Sequence, residues 1–233
     1  MTHGMTVSDA LDTRFTCRAF RPDTVSETVV RDILSRAARA PSGGNLQPQR
    51  LWVLAGEDLK TLTAEVSARV AAGEIADGPM EYAMFPQNMT EPYLSRRNAI
   101  GAQMYAALDV ARDDARARRD WFLENMKLFD APVGIFMAID RQMSHPQWSD
   151  LGMYLMAVML LAREHGLQAS ALESWALFPR TVARRLGMPP ELMLFCGVAL
   201  GVPDMDHPVN KFRANRAPLE EFAVFRGFET AHG

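Results

Sequence analysis

Between residues 23 and 40 the apolar positions Val29, Val30, Ile33, Leu34, Ala37 and Ala38 return at helical spacing. Thr24 and Glu27 have the form of a capping box, so the stretch predicts an amphipathic helix. The period breaks at "PSGGNLQP" (41–48), a stiff polar bend, and Leu51-Trp52-Val53-Leu54 then reads as a strand. A second helix is predicted over 58–73, stopping near Gly73. Residues 74–100 mix aromatic residues and prolines without a period, which predicts a long ordered loop or lid over a site. Helical composition returns over 100–128, and "VGIFMAI" (133–139) has the pattern of a buried strand. "DLGMYLMAVMLLAREHG" (150–166) is apolar nearly all round and predicts a central buried helix closed by Gly166. A short strand leading to a loop (167–174), a short helix opened by Pro179 (179–187) and another buried strand (192–201) follow, and residues 207–233 form a C-terminal arm, basic first and aromatic later. Short strands separated by helices, with no repeat or shift in composition, predict a single α+β domain over 1–233.

Composition narrows the function classes. The chain has 233 residues, 48% hydrophobic and 23% charged, enough for a sizeable core. A formal net charge of −3 gives no global footprint for nucleic acid or an anionic membrane, so any anion must be held by local cations. Cys17 and Cys196 lie far apart without a Cys-x-x-Cys pattern, which argues against a disulfide framework or structural zinc and fits a reducing compartment. The start of the chain lacks the features of a signal peptide, and no apolar run is long enough to span a bilayer. A soluble cytoplasmic protein is expected.

The common dinucleotide, P-loop, zincin and nucleophile-elbow motifs are absent, and the five histidines have no metal-ligand spacing, so no metal site is expected. What remains is cationic. "TRFTCRAF" places Arg14, Thr16 and Arg18 at alternate positions, so an extended backbone turns two guanidiniums and a hydroxyl to one side, an arrangement suited to phosphate. Near the other end, Lys211, Arg213 and Arg216 form a second group. Each group alone reads more simply as solvated surface. Together with the bend at 41–48 they form a joint pattern that one anionic ligand explains.

In this order, "RFTCRAF", "APSGGNLQP", "DAPVGIF", "SDLGMYLMAVMLLAREHGL", "ALESW" and "RANRAPLEEF" resemble the nitroreductase family of FMN-dependent flavoproteins, in the branch related to nitrobenzoate reductases. The resemblance implies an α+β fold with a central mixed or antiparallel sheet surrounded by helices, and an obligate homodimer with FMN at the subunit interface. It implies that Arg14 and Thr16 hold the phosphate, with Phe15 contributing its backbone, and that Arg18 reaches the N1/O2 side of the flavin. Pro41, Ser42, Gly43, Asn45 and Gln47 approach the partner's flavin, with Gln49 standing where tryptophan is common; Trp52 either replaces that aromatic or packs in the core. Asn125, and less closely Lys127, fall near the pyrimidine edge. Leu172, Glu173 and Ser174 lie over the isoalloxazine, with Ala171 and Ser174 in place of the family's proline and glycine. Arg216 and Arg213 complete the phosphate site, Lys211 less certainly. Tyr82, Phe85, Tyr93, Trp121 and Phe129 either line the substrate space or serve as ordinary core.

The implied activity takes hydride from transiently bound NAD(P)H and passes it by ping-pong turnover to nitroaromatic or similar electron-poor acceptors, with no catalytic side chain because flavin N5 carries the chemistry. The alternatives are another flavin reaction on this fold, such as reductive dehalogenation, enone reduction or an oxidase reaction, and a non-catalytic flavin-binding module.

Overall fold

The computed structural model describes residues 4–228. Strands β1 (Arg50–Ala55), β2 (Val133–Asp140), β3 (Gln168–Leu172) and β4 (Leu192–Gly201) form one sheet in the order β1-β2-β4-β3, every ladder antiparallel. Successive side chains of a strand point to opposite faces. Along β2, Ile135, Met137 and Ile139 therefore enter one core while Phe136 and Ala138 enter another. Both faces are covered, which is why "VGIFMAI" is apolar without alternation.

The first face is packed by α2 (Glu27–Ala37) and α6 (His145–Glu164), with α1 (Val7–Thr13) against α6. The second is packed by α3 (Gly56–Ala71), α5 (Ala115–Met126) and α7 (Pro179–Leu186). Helix α4 (Tyr93–Ala107) buries none of its residues against the rest of the chain.

Several elements depart from the sequence reading. Helix α2 is capped by Ser26, whose hydroxyl accepts the Val29 N–H at 3.3 Å, rather than by Thr24, and Glu27 instead pairs with Arg31 one turn on. The region read as a lid over 74–100 is a connecting segment only as far as Pro92, after which α4 begins at Tyr93. Helix α6 starts at His145, five residues earlier than its apolar run, because the amide oxygen of Gln147 accepts the Ser144 N–H at 3.2 Å. It is also not buried all round: Leu151, Tyr154, Leu155, Val158 and Ala162 face the core, while Gly152 and Met153 are open to solvent.

Two devices hold the connecting segment. The Asp77 carboxylate accepts the backbone N–H groups of Arg180 (3.2 Å) and Thr181 (2.6 Å), satisfying the free donors at the start of α7. Further on, β4 carries a bulge: Met137 pairs with Cys196 and Ala138 with Leu194, leaving Phe195 out of register. The hydroxyl of Tyr82 donates to the Phe195 carbonyl freed by that bulge.

Candidate active site

Residues 14–18 run extended along the outer edge of β3. Thr16 forms a parallel bridge with Ala169, and the Cys17 N–H donates to the Ala169 carbonyl at 3.4 Å, so the sheet is antiparallel except at this margin. Phe15 and Cys17 are buried, while Arg14, Thr16 and Arg18 are half-buried on the opposite side, the alternation the sequence predicts. Two buried amides fix this strand. Gln168 accepts the Phe15 N–H at 3.3 Å and donates to the Thr13 carbonyl at 2.8 Å. Asn210 accepts the Arg18 N–H at 2.9 Å and donates to the carbonyls of Ala19 and Asp204, each at 2.8 Å. Neither residue belongs to a motif; the signal for Gln168 is a polar side chain opening an otherwise largely apolar strand.

The two cationic groups from opposite ends of the chain converge. Arg14, Thr16, Arg18, Arg213 and Arg216 line one cavity of about 320 Å³, with Asp12 at its wall. Lys211 is exposed and does not line it. Arg213 lies 4.1 Å over the ring of Phe15 and donates to the carbonyls of Asn210 and Phe212, while Arg216 donates to those of Ala214 and Asn215. Among the described residues these four arginines form no ion pair with a carboxylate. Burial lowers the pKa of Arg14, and the nearby charge of Arg216 lowers it further; burial also lowers that of Arg18. The Nε of Arg14 is buried without a hydrogen-bond partner. Four converging guanidiniums, those of Arg14 and Arg18 partly desolvated and those of Arg213 and Arg216 exposed, with an unused donor on Arg14, are the complement of a phosphate dianion. The chain thus fits the 5′-phosphate of FMN.

Arg18 also lines a second cavity, of about 630 Å³, with Phe20, Trp121, Phe129, Asp204 and His207. Trp121 stacks on His207 (6.3 Å between ring centroids, 22° between planes) and lies 5.7 Å from Phe129. Nδ1 of His207 accepts the Val209 N–H at 3.2 Å, so the neutral ring carries its proton on Nε2. Phe129 is the middle of three residues, Leu128, Phe129 and Asp130, with φ of 54°, 53° and 56°, a left-handed turn that such side chains adopt only when their surroundings enforce it. Burial of Leu128 and Phe129 in the core supplies that enforcement.

The "ALESW" stretch leaves β3 as a tight turn over Glu173–Leu177. Trp175 is wholly buried beneath it, edge-on to Phe136 at 4.9 Å, over Gly197, where a Cβ would lie 2.8 Å from the indole. Its Nε1 donates to the carbonyl of Asn125 at 2.9 Å, which brings the end of α5 to the turn. Above this anchor Leu172 is buried, Ser174 has a buried hydroxyl without a partner, and desolvation raises the pKa of Glu173. The side-chain amide of Asn125 donates back to the Phe122 carbonyl at 3.0 Å, and Lys127 is paired with Glu124 at 2.7 Å. Both expected pyrimidine-edge side chains are therefore partly engaged within α5 and its end.

The bend is ordered from within. The hydroxyl of Ser42 accepts the Gln47 N–H at 3.0 Å, the Gln47 side chain donates to the Asn45 carbonyl at 3.1 Å, and Gly44, Asn45 and Gln47 all have positive φ. Buried Asp150, on α6, accepts the Gly43 N–H at 3.1 Å and fixes the bend to the core. Residues 43–47 are exposed, and none of residues 41–48 lines the arginine cavity of its own chain. Gln49 is half-buried, and Trp52 packs in the core.

The expected substrate aromatics do not gather in one place. Trp121 and Phe129 meet beside Arg18. Tyr82 packs instead against Trp148 (5.1 Å) and Phe195 (6.2 Å), Phe85 lies under Arg97, and Tyr93 is exposed at the start of α4. The position of Tyr82 follows from the bulge carbonyl that its hydroxyl satisfies.

Residues 11–202 match the sequence profile described as the Nitroreductase family. The chain belongs to the nitroreductase family. It is 35% identical over 220 residues to the nitrobenzene nitroreductase of Ectopseudomonas oleovorans, covering 94% of this chain and 96% of that one. Family likeness extends to three dimensions. The FMN and NADPH-dependent nitroreductase NfnB of Sphigopyxis sp. strain HMH superposes with a TM-score of 0.92 at 40% identity, over 96% of this chain and all (100%) of that one. NfnB of Mycobacterium smegmatis, solved in complex with NADPH, superposes with a TM-score of 0.89 at 26% identity, over 94% and 97% of the two chains.

Proposed function

We propose that this protein is an NAD(P)H-dependent FMN nitroreductase that reduces nitroaromatic acceptors. The observation that carries the reading is the meeting, in one cavity, of Arg14, Arg18, Arg213 and Arg216 without a carboxylate counter-ion in ion-pair range among the described residues. Arg14, Arg213 and Arg216, with the Thr16 hydroxyl, hold the FMN phosphate. Arg18, shared by both cavities, would face the N1/O2 side of the flavin and supply a fixed positive charge there. The Leu172–Ser174 turn covers the ring and Trp175 holds that turn in place. Bound FMN supplies the hydride relay at N5. The aromatic cavity beside Arg18 would take the nicotinamide and the nitroarene in turn, and His207 in its wall offers a polar group to the acceptor.

The chain works as a homodimer. Met153 on the uncovered face of α6, Leu46 in the bend, and Phe222, Val224, Phe225 and Phe228 in the C-terminal arm are all exposed, an extent of apolar surface that a partner would cover. The bend held by Asp150 then presents Ser42, Asn45 and Gln47 to the partner's flavin. No helix of the described residues is long and apolar enough to cross a membrane, and a cytoplasmic supply of NAD(P)H suits the reaction.

The test is the visible spectrum of purified protein before and after anaerobic NAD(P)H, followed by addition of a nitroarene. Yellow protein that bleaches with NAD(P)H and recovers on nitroarene is expected. A protein that takes up no FMN overturns the reading, and one whose flavin stays oxidised in NAD(P)H leaves only a flavin-binding module.

A further inference from the structure

A cleft of about 850 Å³, distinct from the phosphate cavity, lies between α4 and the start of α5. Arg97, Arg112 and Arg118 line it, with Tyr105 and Val110, and no carboxylate does. Among the described residues these three arginines form no ion pair. Arg118 lies 4.3 Å over the ring of Tyr105 and donates to the Arg112 carbonyl at 2.9 Å; Arg97 lies 4.2 Å over Phe85. The α4 wall carries Ala99, Gly101, Ala102 and Ala106, small side chains that let a flat ring approach the helix. Two guanidiniums lying over aromatic rings, a third from Arg112, and a wall of small residues make a site for a phosphorylated aromatic ligand.

The cleft adjoins the active site on two sides. Val110 lines both it and the aromatic cavity beside Arg18. Ala99 lines both it and a neighbouring groove that shares Ile100 and Arg216 with the phosphate cavity. The chain has no Gly-x-Gly-x-x-Gly fingerprint, so the adenosine end of a nicotinamide dinucleotide needs another anchor. We infer that this cleft is that anchor: Arg97, Arg112 and Arg118 bind the adenosine 2′-phosphate of NADPH, and through it select NADPH over NADH. The inference rests on the flavin reading above and goes beyond it by assigning the reductant and its site.

The test compares holoenzyme and the Arg97→Gln/Arg112→Gln variant, which alters no residue placed at the flavin. With a saturating nitroarene, wild type is expected to favour NADPH over NADH by about tenfold or more in kcat/KM, one tenfold step being about 1.4 kcal/mol. The variant should lose that factor through a raised KM for NADPH, with kcat, the constants for NADH and the flavin spectrum unchanged. Equal use of the two reductants by wild type, or an equal loss with both in the variant, overturns the inference while leaving the flavin reading intact. Calorimetry with 2′,5′-ADP and 5′-AMP needs neither turnover nor a folded variant: tighter binding of 2′,5′-ADP supports the site, and equal or no binding of the two removes it. Protein that retains no FMN fails the flavin reading, a result distinct from either of these.

Discussion

The indole Nε1 of Trp175 donates to the backbone carbonyl of Asn125 at 2.9 Å, joining the turn after β3 to the end of α5 across 50 residues of sequence. The donor is wholly buried, so the bond is made in a medium where a lost partner is costly. Trp175→Phe keeps an aromatic ring facing Phe136 but removes the buried indole donor to the Asn125 carbonyl. A loss of about 1–3 kcal/mol is expected, read as a lower denaturation midpoint. Turnover should fall as well, because the Leu172–Ser174 turn rests on this anchor; a variant as stable and active as wild type would show the bond to be dispensable.

Removing either Arg14 or Arg216 should weaken FMN retention, because both face one cavity although 202 residues of chain separate them. A charge-assisted hydrogen bond contributes about 1.5–3 kcal/mol, so each alanine variant should raise the FMN dissociation constant by about ten- to a hundredfold. The apoproteins should respond differently. Arg216 lowers the pKa of Arg14, a repulsion that phosphate relieves, so Arg216→Ala apoprotein should melt no lower than wild-type apoprotein. Fluorescence titration with FMN and thermal melts of the apoproteins check both statements.

Much of this arrangement is legible in the sequence. The Arg14–Arg18 alternation needs only the period of a strand, and the buried strands at 133–139 and 192–201 declare themselves by composition. The capping of α2 by Ser26 was not legible, because Thr24 and Ser26 both stand before the helix and only the backbone geometry decides between them. Nor was the place of Tyr82. Its hydroxyl answers a carbonyl freed by a bulge in β4, and a bulge has no signature in "LMLFCGVALG". The apolar girth of α6 reads as complete burial because composition does not distinguish an exposed apolar face, such as that of Met153, from one turned to the core.

Tyr82→Phe therefore tests the connecting segment rather than the substrate pocket. The change keeps the aromatic packing on Trp148 and leaves the Phe195 carbonyl without its donor. Amide exchange should speed up over residues near 82 and in the bulge, with a global cost of about 1–3 kcal/mol. Unchanged exchange at both places would remove the latch.

Glu173 gives a pH signature. Desolvation raises its pKa above its ordinary value of 4.5, so its ionised form is disfavoured in the fold relative to the unfolded chain. Its unfavourable contribution is absent where the carboxyl is protonated in both states. The penalty grows as pH rises through 4.5 and is complete above the raised folded pKa. Apoprotein of the Glu173→Gln variant should accordingly gain stability over wild type at neutral pH, and the gap should close in acid. Denaturant midpoints at several pH values decide; a gap that does not vary with pH would assign the effect to something other than this carboxyl.

The exposed face of α6 leads to the last prediction. Met153 is 40% exposed on a helix whose other face carries Leu151, Tyr154 and Leu155 into the core, and Asp150 on the same helix fixes the bend that carries Ser42 and Asn45. If this face is the subunit contact, a charge there must be desolvated on association, at a cost of several kcal/mol per unpaired ion. Met153→Lys should then run as a species of 26.0 kDa in light scattering where wild type runs at twice that mass. The variant should also hold FMN less tightly, since each site would lose the partner's bend, while its far-ultraviolet dichroism stays that of wild type. A Met153→Lys protein that remains dimeric and yellow would place the subunit contact elsewhere and detach the bend from the flavin.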